Sequence, residues 1–346
     1  MNLHLLIPAL FWPDHSHLEV YHGLQLSALE TILAKSQLIE SSGQDVEAWL
    51  CQAFSVEKQQ DWPVAPIMLE IDGEGIEVGN DYWLRADPVH LRIENNHILL
   101  ADSQILNISL KEAILLADTI NKQFATDGLT LLPLSPNRWY LQNSTLPDLQ
   151  THLLGEVAGK NINHLLPSGK DGVVWNKRIN EIQMLLYDNP LNQIREANGE
   201  LAINSLWIWG GGIRPGTIST PYSNVWSDHP FAHALAKASG TIFNNLPRNA
   251  AVWQQAAKSG EHLIILDDLQ RFARYKDAHT WRNNLINLER DWFEPLLQAL
   301  KTRQVMQLTL TTVNEFSTKS FCIRPKSLWR FWAAARSLDA YSSINI

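Results

Sequence analysis

The stretch Ser205-Leu206-Trp207-Ile208-Trp209-Gly210-Gly211-Gly212 limits the possible folds of this chain more than any other. An unbroken apolar run at 206–209 suits a strand covered on both faces, as in a sheet buried between helices. It discharges into a glycine loop, and open α/β sheets place ligands where an apolar strand runs into such a turn. Upstream, Ile179, Ile182, Leu185 and Leu186 fall at helical spacing. Asp188-Asn189-Pro190 breaks that helix, since proline cannot continue it, and a short second helix ends at Gly199. Asn192, Arg195, Asn204 and Arg214 flank the strand as polar groups. Consecutive glycines permit positive φ, so their N–H groups can converge on an anion beside the Arg214 guanidinium. Equally, they suit a tight turn where the strand passes close beneath another segment.

Strands and helices alternate through the rest of the chain. Residues 3–10 read as a buried strand, followed by a loop at 11–17 and a helix at 24–39. Asp45 caps a helix at 46–54, and 65–71 reads as a strand. Short strands at 82–85, 89–93 and 98–100, with a hairpin turn at 94–96, lead into a helix at 109–124 with Glu112 in its first turn. Strands at 129–132 and 139–141 complete a compact α+β cap at 76–150, with 151–174 as connection. Residues 1–75 and 175–346 read as a doubly wound α/β core. That core takes in strands at 262–266, 305–311 and 321–323, a helix at 280–300 kinked or restarted at Pro295, and an aromatic end-piece at 329–332.

With 45% apolar and 18% charged residues among 346, the chain can bury a large core. A net charge of −8 leaves no basic surplus for phosphates, which excludes a general binder of nucleic acid or anionic membrane. Cys51 and Cys322 make neither a disulfide framework nor a zinc knuckle and suit a cytoplasmic protein. The start lacks a signal peptide's basic region, and no apolar run reaches the ~20 residues of a membrane helix. Fourteen tryptophans suit core and rim packing, and Trp12, Trp207, Trp209 and Trp226 could also line one cleft.

Asn189-Pro190-Leu191-Asn192-Gln193-Ile194-Arg195, Gly199, Asn204 and Trp209-Gly210-Gly211-Gly212 together resemble the archaeal-type cofactor-independent phosphoglycerate mutases of the alkaline phosphatase superfamily. Leu84-Arg85-Ala86-Asp87 is similar to the Phe-Arg-Ala-Asn that opens that family's cap domain. Nearly the whole chain resembles the bacterial RpfE-type proteins, which are named as regulators. The resemblance implies an alkaline-phosphatase-like α/β sheet with an inserted α+β cap. The mutases hold two divalent metals with Asp and His and use a serine nucleophile, because the phosphoryl group must be clamped while the hydroxyl is activated. Here the first strand ends Pro8-Ala9-Leu10-Phe11, with the next acid at Asp14. Thr312-Val313-Asn314 stands where a late Asp-His pair belongs, and no early serine occupies a nucleophile turn.

Resemblance and departures together imply a divergent mutase-like protein without the two-metal site or another cofactor. It would bind a phosphorylated or carboxylate metabolite in a regulatory role. Its ligand would meet Asn192, Arg195, Asn204, Gly210, Gly211, Gly212 and Arg214. Arg85 and Arg138 would close from the cap, since guanidinium suits phosphate and carboxylate. The alternative is an active mutase or phosphotransferase whose Mn or Zn is held by relocated ligands from Asp14, His15, His17 and Asp267 or Asp268. The plainer role for those acids is helix capping. A third reading is a scaffold that binds a protein partner through its aromatic end-piece.

Overall fold

The computed structural model describes residues 1–14, 16–94 and 97–342; His15 and the expected hairpin tip at 95–96 lie outside them. The chain divides into two compact units, one of Met1–Ala53 and Thr220–Ile346, the other of Phe54–Ser219. The described strands are, in chain order, β1 (Asn2–Leu6), β2 (Gln37–Ser42), β3 (Tyr82–Glu94), β4 (His97–Ala101), β5 (Leu129–Ser135), β6 (Arg138–Asn143), β7 (Ser205–Gly212), β8 (Asn224–Trp226), β9 (Ile242–Asn244), β10 (Glu261–Ile265), β11 (Gln307–Val313) and β12 (Ser317–Ile323).

In the first unit the sheet order is β2-β12-β11-β1-β10-β8-β9. The five strands from β11 to β9 are parallel, β12 is antiparallel to β11, and β2 is antiparallel to β12. Leu5, Leu6, Leu263, Ile264, Ile265, Leu308 and Leu310 are wholly buried on both faces of the central strands, as a parallel sheet under two layers of helix requires. Trp12, Tyr21 and Trp281 meet edge to face in this core, at 5.5 and 5.8 Å between ring centroids. The helix expected at 280–300 is two helices, Ala278–Leu288 and Glu294–Lys301, joined by a π turn at Glu289–Phe293. Pro295 has no N–H for the Asp291 carbonyl, so the ladder widens there. The buried Glu289 carboxylate accepts from the N–H groups of Ala28 (2.6 Å) and Leu29 (3.0 Å), capping the helix Ser27–Lys35.

The second unit is an antiparallel sheet, β4-β3-β6-β5, with β7 also paired to β3. The strands expected at 82–85 and 89–93 are one long strand that passes through Pro88. The helix Leu110–Gln123 starts from a capping box: Ser109 Oγ accepts from the Glu112 N–H, and the Glu112 carboxylate from the Ser109 N–H. This helix and Gly172–Tyr187 bury Leu116, Ile120, Trp175, Ile179 and Ile182 against Trp139, Leu206 and Ile208.

Three expectations are corrected. Residues 65–71 form a helix, Val64–Asp72, rather than a strand; a short apolar run fits either, and packing against β7 and β3 decides. Residues 37–42, expected as helix end and turn, are the edge strand β2. The expected block at 76–150 is only part of the second unit, because β7 completes that block's sheet instead of joining the larger one. No helix among the described residues is long and apolar enough to cross a membrane.

Candidate functional site

The expected glycine loop is strand. Trp83 faces Gly212 and Arg85 faces Trp209 across the β3–β7 pairing, so Gly210 and Gly211 together stand opposite Leu84 in a bulge. Gly210 has φ +63° and lies under the helix Val64–Asp72, where a Cβ would come 2.9 Å from Val64 Cβ. At Gly211 a Cβ would fall 2.4 Å from the Tyr82 hydroxyl, and at Gly212 2.7 Å from Pro63 Cβ. Close passage beneath neighbouring segments therefore explains the three glycines. They are buried.

Arg85 and Arg138 are brought together but are already paired. The Arg85 guanidinium donates Nη2–H to both Asp87 oxygens (2.7 and 2.9 Å) and Nε–H to one (3.1 Å). Its carbon lies 5.1 Å from the Tyr140 ring and 5.2 Å from the Trp209 ring, a cation held between aromatic faces. Asp87 also accepts from the Trp139 N–H (3.2 Å) and Trp209 Nε1–H (2.8 Å). Burial works against the charge on Arg85, yet Asp87, Tyr140 and Asp72 together outweigh it and raise its pKa. Arg138 forks onto Asp72 (2.7 and 2.8 Å), which also accepts from the Tyr140 hydroxyl at 2.5 Å.

Burial alone would raise the Asp72 carboxyl, but the hydrogen bonds from Arg138 and Tyr140 outweigh it and hold the group below its ordinary 3.8. A carboxyl depressed in the folded state adds stability above the unfolded pKa and loses it as pH falls through the folded one. Thermal melts of Asp72→Asn are therefore expected below the parent at neutral pH, with the gap closing as pH falls below the ordinary 3.8 and through the lowered folded pKa.

Asn192, Arg195 and Asn204 brace the chain between helix and strand. Asn192 donates to the carbonyls of Leu186 and Ile203 and accepts the Ile203 N–H, each at 2.8 Å. Buried Arg195 donates to Glu112 (2.6 Å) and to the carbonyls of Leu201 and Asn107 (both 2.9 Å). Asn204 accepts the Leu91 N–H (2.7 Å) and donates to its carbonyl (2.9 Å), extending the pairing of β3 by one side chain. Trp207 and Trp209 are likewise buried in this unit, and Trp12 and Trp226 in the other.

Of the expected set, Arg214 lines a cavity. A cleft of about 550 Å³ is lined by Lys58, Gln59, Gln60, Tyr82, Ile213 and Arg214, with flanking residues from 55–57 and 215–217 and with Leu146. Gln59 fixes its wall by accepting the Ile213 N–H (3.0 Å) and donating to the Ile213 carbonyl (2.9 Å). Arg214 pairs with Glu70 at 2.8 Å while its side chain stays 59% exposed. Lys58 lies 5.8 Å from the Trp62 ring centroid. The Tyr82 hydroxyl is buried and has no hydrogen-bond partner among the described residues, an orphan of the kind that a ligand or water satisfies. Sequence reasoning missed Lys58, Gln59 and Tyr82. The first two sit in an unpatterned polar run and the third in an apolar strand, so no motif marks them.

Of the relocated metal ligands, Asp14 and His17 lie 3.7 Å apart, and His15 falls outside the described residues. Asp14 accepts from the N–H (3.0 Å) and hydroxyl (2.5 Å) of Ser16 in a local turn, and His17 faces Glu19 at 2.7 Å. Asp268 lies near Asp267 and Asp228 at the ends of β10 and β8, and burial first, then those two acids, raises its carboxyl. Nearby, His229 stands 4.0 Å from Glu47, whose carboxyl is raised by burial and by Asp45. Among the described residues, no three His, Cys, Asp or Glu side chains are grouped to hold a metal ion.

No protein-family model matches the chain. In sequence it is similar to the 2,3-bisphosphoglycerate-independent phosphoglycerate mutase of Methanosarcina mazei, 29% identical over 137 residues, which make 38% of this chain and 34% of that relative. The chain thus spans about a third of the length of the curated relatives it matches. In structure it is similar to the PH0037 protein from Pyrococcus horikoshii, with TM-score 0.53 and 12% identity over 93% of this chain and 87% of that one. A cofactor-independent phosphoglycerate mutase from Thermoplasma acidophilum gives TM-score 0.49 at 14% identity over 99% and 95%. The likeness to PH0037 shows a shared fold, and the observed architecture is the α/β class expected. The sequence matches support a phosphoglycerate-mutase-like relationship.

Proposed function

We propose that this chain is a divergent phosphoglycerate-mutase-like protein that binds a phosphorylated or carboxylate metabolite and acts in regulation in the cytoplasm, like the RpfE-type regulators it resembles. One observation carries the ligand reading: the cleft sets Lys58 and Arg214 beside Tyr82, whose buried hydroxyl has no hydrogen-bond partner among the described residues. An oxyanion would accept from that hydroxyl and meet both cations. Exposed ion pairs contribute only about 0–1 kcal/mol, so an anion can draw Arg214 away from Glu70 at small cost. The residues at the strand ends do not fit a two-metal set, since no three candidate ligands converge among those described. No phosphoryl-transfer step is therefore assigned to them.

The test uses 3-phosphoglycerate, which carries both a phosphate and a carboxylate. A ligand of the folded state raises apparent stability by mass action, by about 2.7 kcal/mol at a hundred times its Kd. The parent protein's melting temperature is expected to climb with 3-phosphoglycerate. Lys58→Ala and Arg214→Ala should each weaken the response about tenfold or more, as expected for losing a charge-assisted contact. No shift at millimolar ligand, or a shift that both variants retain, would sink the reading.

A further inference from the structure

Independently of the metabolite cleft, we propose that residues 324–336 of the first unit dock this protein onto an anionic lipid surface. The segment reads Arg-Pro-Lys-Ser-Leu-Trp-Arg-Phe-Trp-Ala-Ala-Ala-Arg. It holds Arg324, Lys326, Arg330 and Arg336 and no acid, in a chain whose net charge is −8. Nothing about the whole chain's charge favours such a surface, but juxtamembrane attraction acts within a Debye length and follows the local charge.

The aromatic residues in this segment are out of place for a folded chain. Trp329, Phe331 and Trp332 are 81%, 87% and 71% exposed. Elsewhere Trp83, Trp139, Trp175, Trp253 and Trp281 are fully buried. Nor is the segment a frayed end. A 3₁₀ turn covers Pro325–Trp329, Leu328 packs on the core, and Leu338 is buried within it. Between those anchors the Lys35 ammonium donates to the Arg330 carbonyl, and the Arg330 guanidinium donates back to the Lys35 carbonyl at 3.4 Å. Phe331 and Trp332 lie edge to face, 5.1 Å between centroids. The fold thus holds two indoles and a phenyl out in solvent on a pinned loop, with exposed Arg324, Lys326 and Arg336 around them.

Area decides between a bilayer and a protein partner. At roughly 150–250 Å² per aromatic side chain, the three rings offer on the order of 500 Å². A stable protein interface takes about 800 Å² from each partner. A bilayer needs no matching pocket: indole rings settle at the headgroup level, and basic residues beside them meet anionic lipid. Three rings with four cations fit that surface better than they fit a protein groove.

The experiment is co-sedimentation of the full chain with vesicles rich in phosphatidylglycerol, and with pure phosphatidylcholine vesicles as the other arm. Binding is expected to the anionic vesicles at low salt, to weaken as salt rises, and to be slight on phosphatidylcholine. Changing Trp329, Phe331 and Trp332 together to Ala should cut partition tenfold or more. Arg324→Gln and Lys326→Gln should each cut it about fivefold, the effect of one basic residue near such a surface. All these side chains are solvent-exposed, so unchanged melting curves are expected and exclude misfolding as the cause. Absence of binding to anionic vesicles, or equal binding by the triple variant, overturns the proposal. So does a lipid-free dimer that the triple variant abolishes, which assigns the patch to a second copy of the chain.

Discussion

Arg85→Met is expected to destabilise the second unit by about 3–5 kcal/mol, the cost of breaking a buried ion pair from one side. The side chains of Arg85 and Asp87 are only 5% and 3% exposed, so neither loss can be made good by water. Removing the guanidinium leaves the Asp87 carboxylate with the N–H of Trp139 and the indole of Trp209, two neutral donors for a full buried charge. The change also empties the space between the Tyr140 and Trp209 rings, which methionine fills in part. Urea denaturation should show the loss. Arg85→Met with Asp87→Leu should regain a large part of it, since the orphaned charge goes too. A loss below about 1 kcal/mol in the single variant would mean the pair is solvated.

Arg195→Met is the second large effect, again about 3–5 kcal/mol. It strips Glu112 of its buried partner and leaves the carbonyls of Leu201 and Asn107 without a donor, each such orphan costing about 1–3 kcal/mol. The useful contrast is with Arg214. Arg195→Met should lower stability and leave the response to 3-phosphoglycerate intact, whereas Arg214→Ala should barely move stability and weaken the response. Denaturation curves with and without ligand separate the two. If Arg195→Met instead abolishes the ligand shift while the protein stays fully folded, the cleft is misplaced and the brace around Asn192 is the binding site.

These arginines show where residue pattern stops informing. Arginine beside an apolar strand reads as an anion receptor from its chemistry alone. What decides its role is the acid that the fold places next to it. Asp72 lies sixty-six residues from Arg138 in sequence, and Glu112 lies eighty-three from Arg195. No local pattern shows such pairs. Periodicity did mark the helices Leu110–Gln123 and Gly172–Tyr187 and the buried strands β1 and β10, because each carries one consistent apolar face or run. It failed where the run was short: Val64–Asp72 has too few turns to show a helical stripe, and β8 and β9 are three residues each. The glycines of β7 were legible as a site of close approach, and only their neighbours Pro63, Val64 and Tyr82 show what approaches. The family likeness pointed to the right fold class without supplying its chemistry, as expected when one architecture carries many sites.

The second unit begins and ends at one point, where the Ser219 N–H donates to the Phe54 carbonyl at 3.2 Å. Every strand of the larger sheet comes from outside that interval. Chain segments whose ends meet are the ones that insertion and exchange tolerate, and the entropy of closing so long a loop grows only slowly with its length. The larger unit is therefore a host that keeps all its hydrogen-bonded strands whichever graft it carries. The cleft proposed to bind a metabolite is lined wholly by the graft, so a ligand preference seated there could be inherited, replaced or lost as a cassette without disturbing the host.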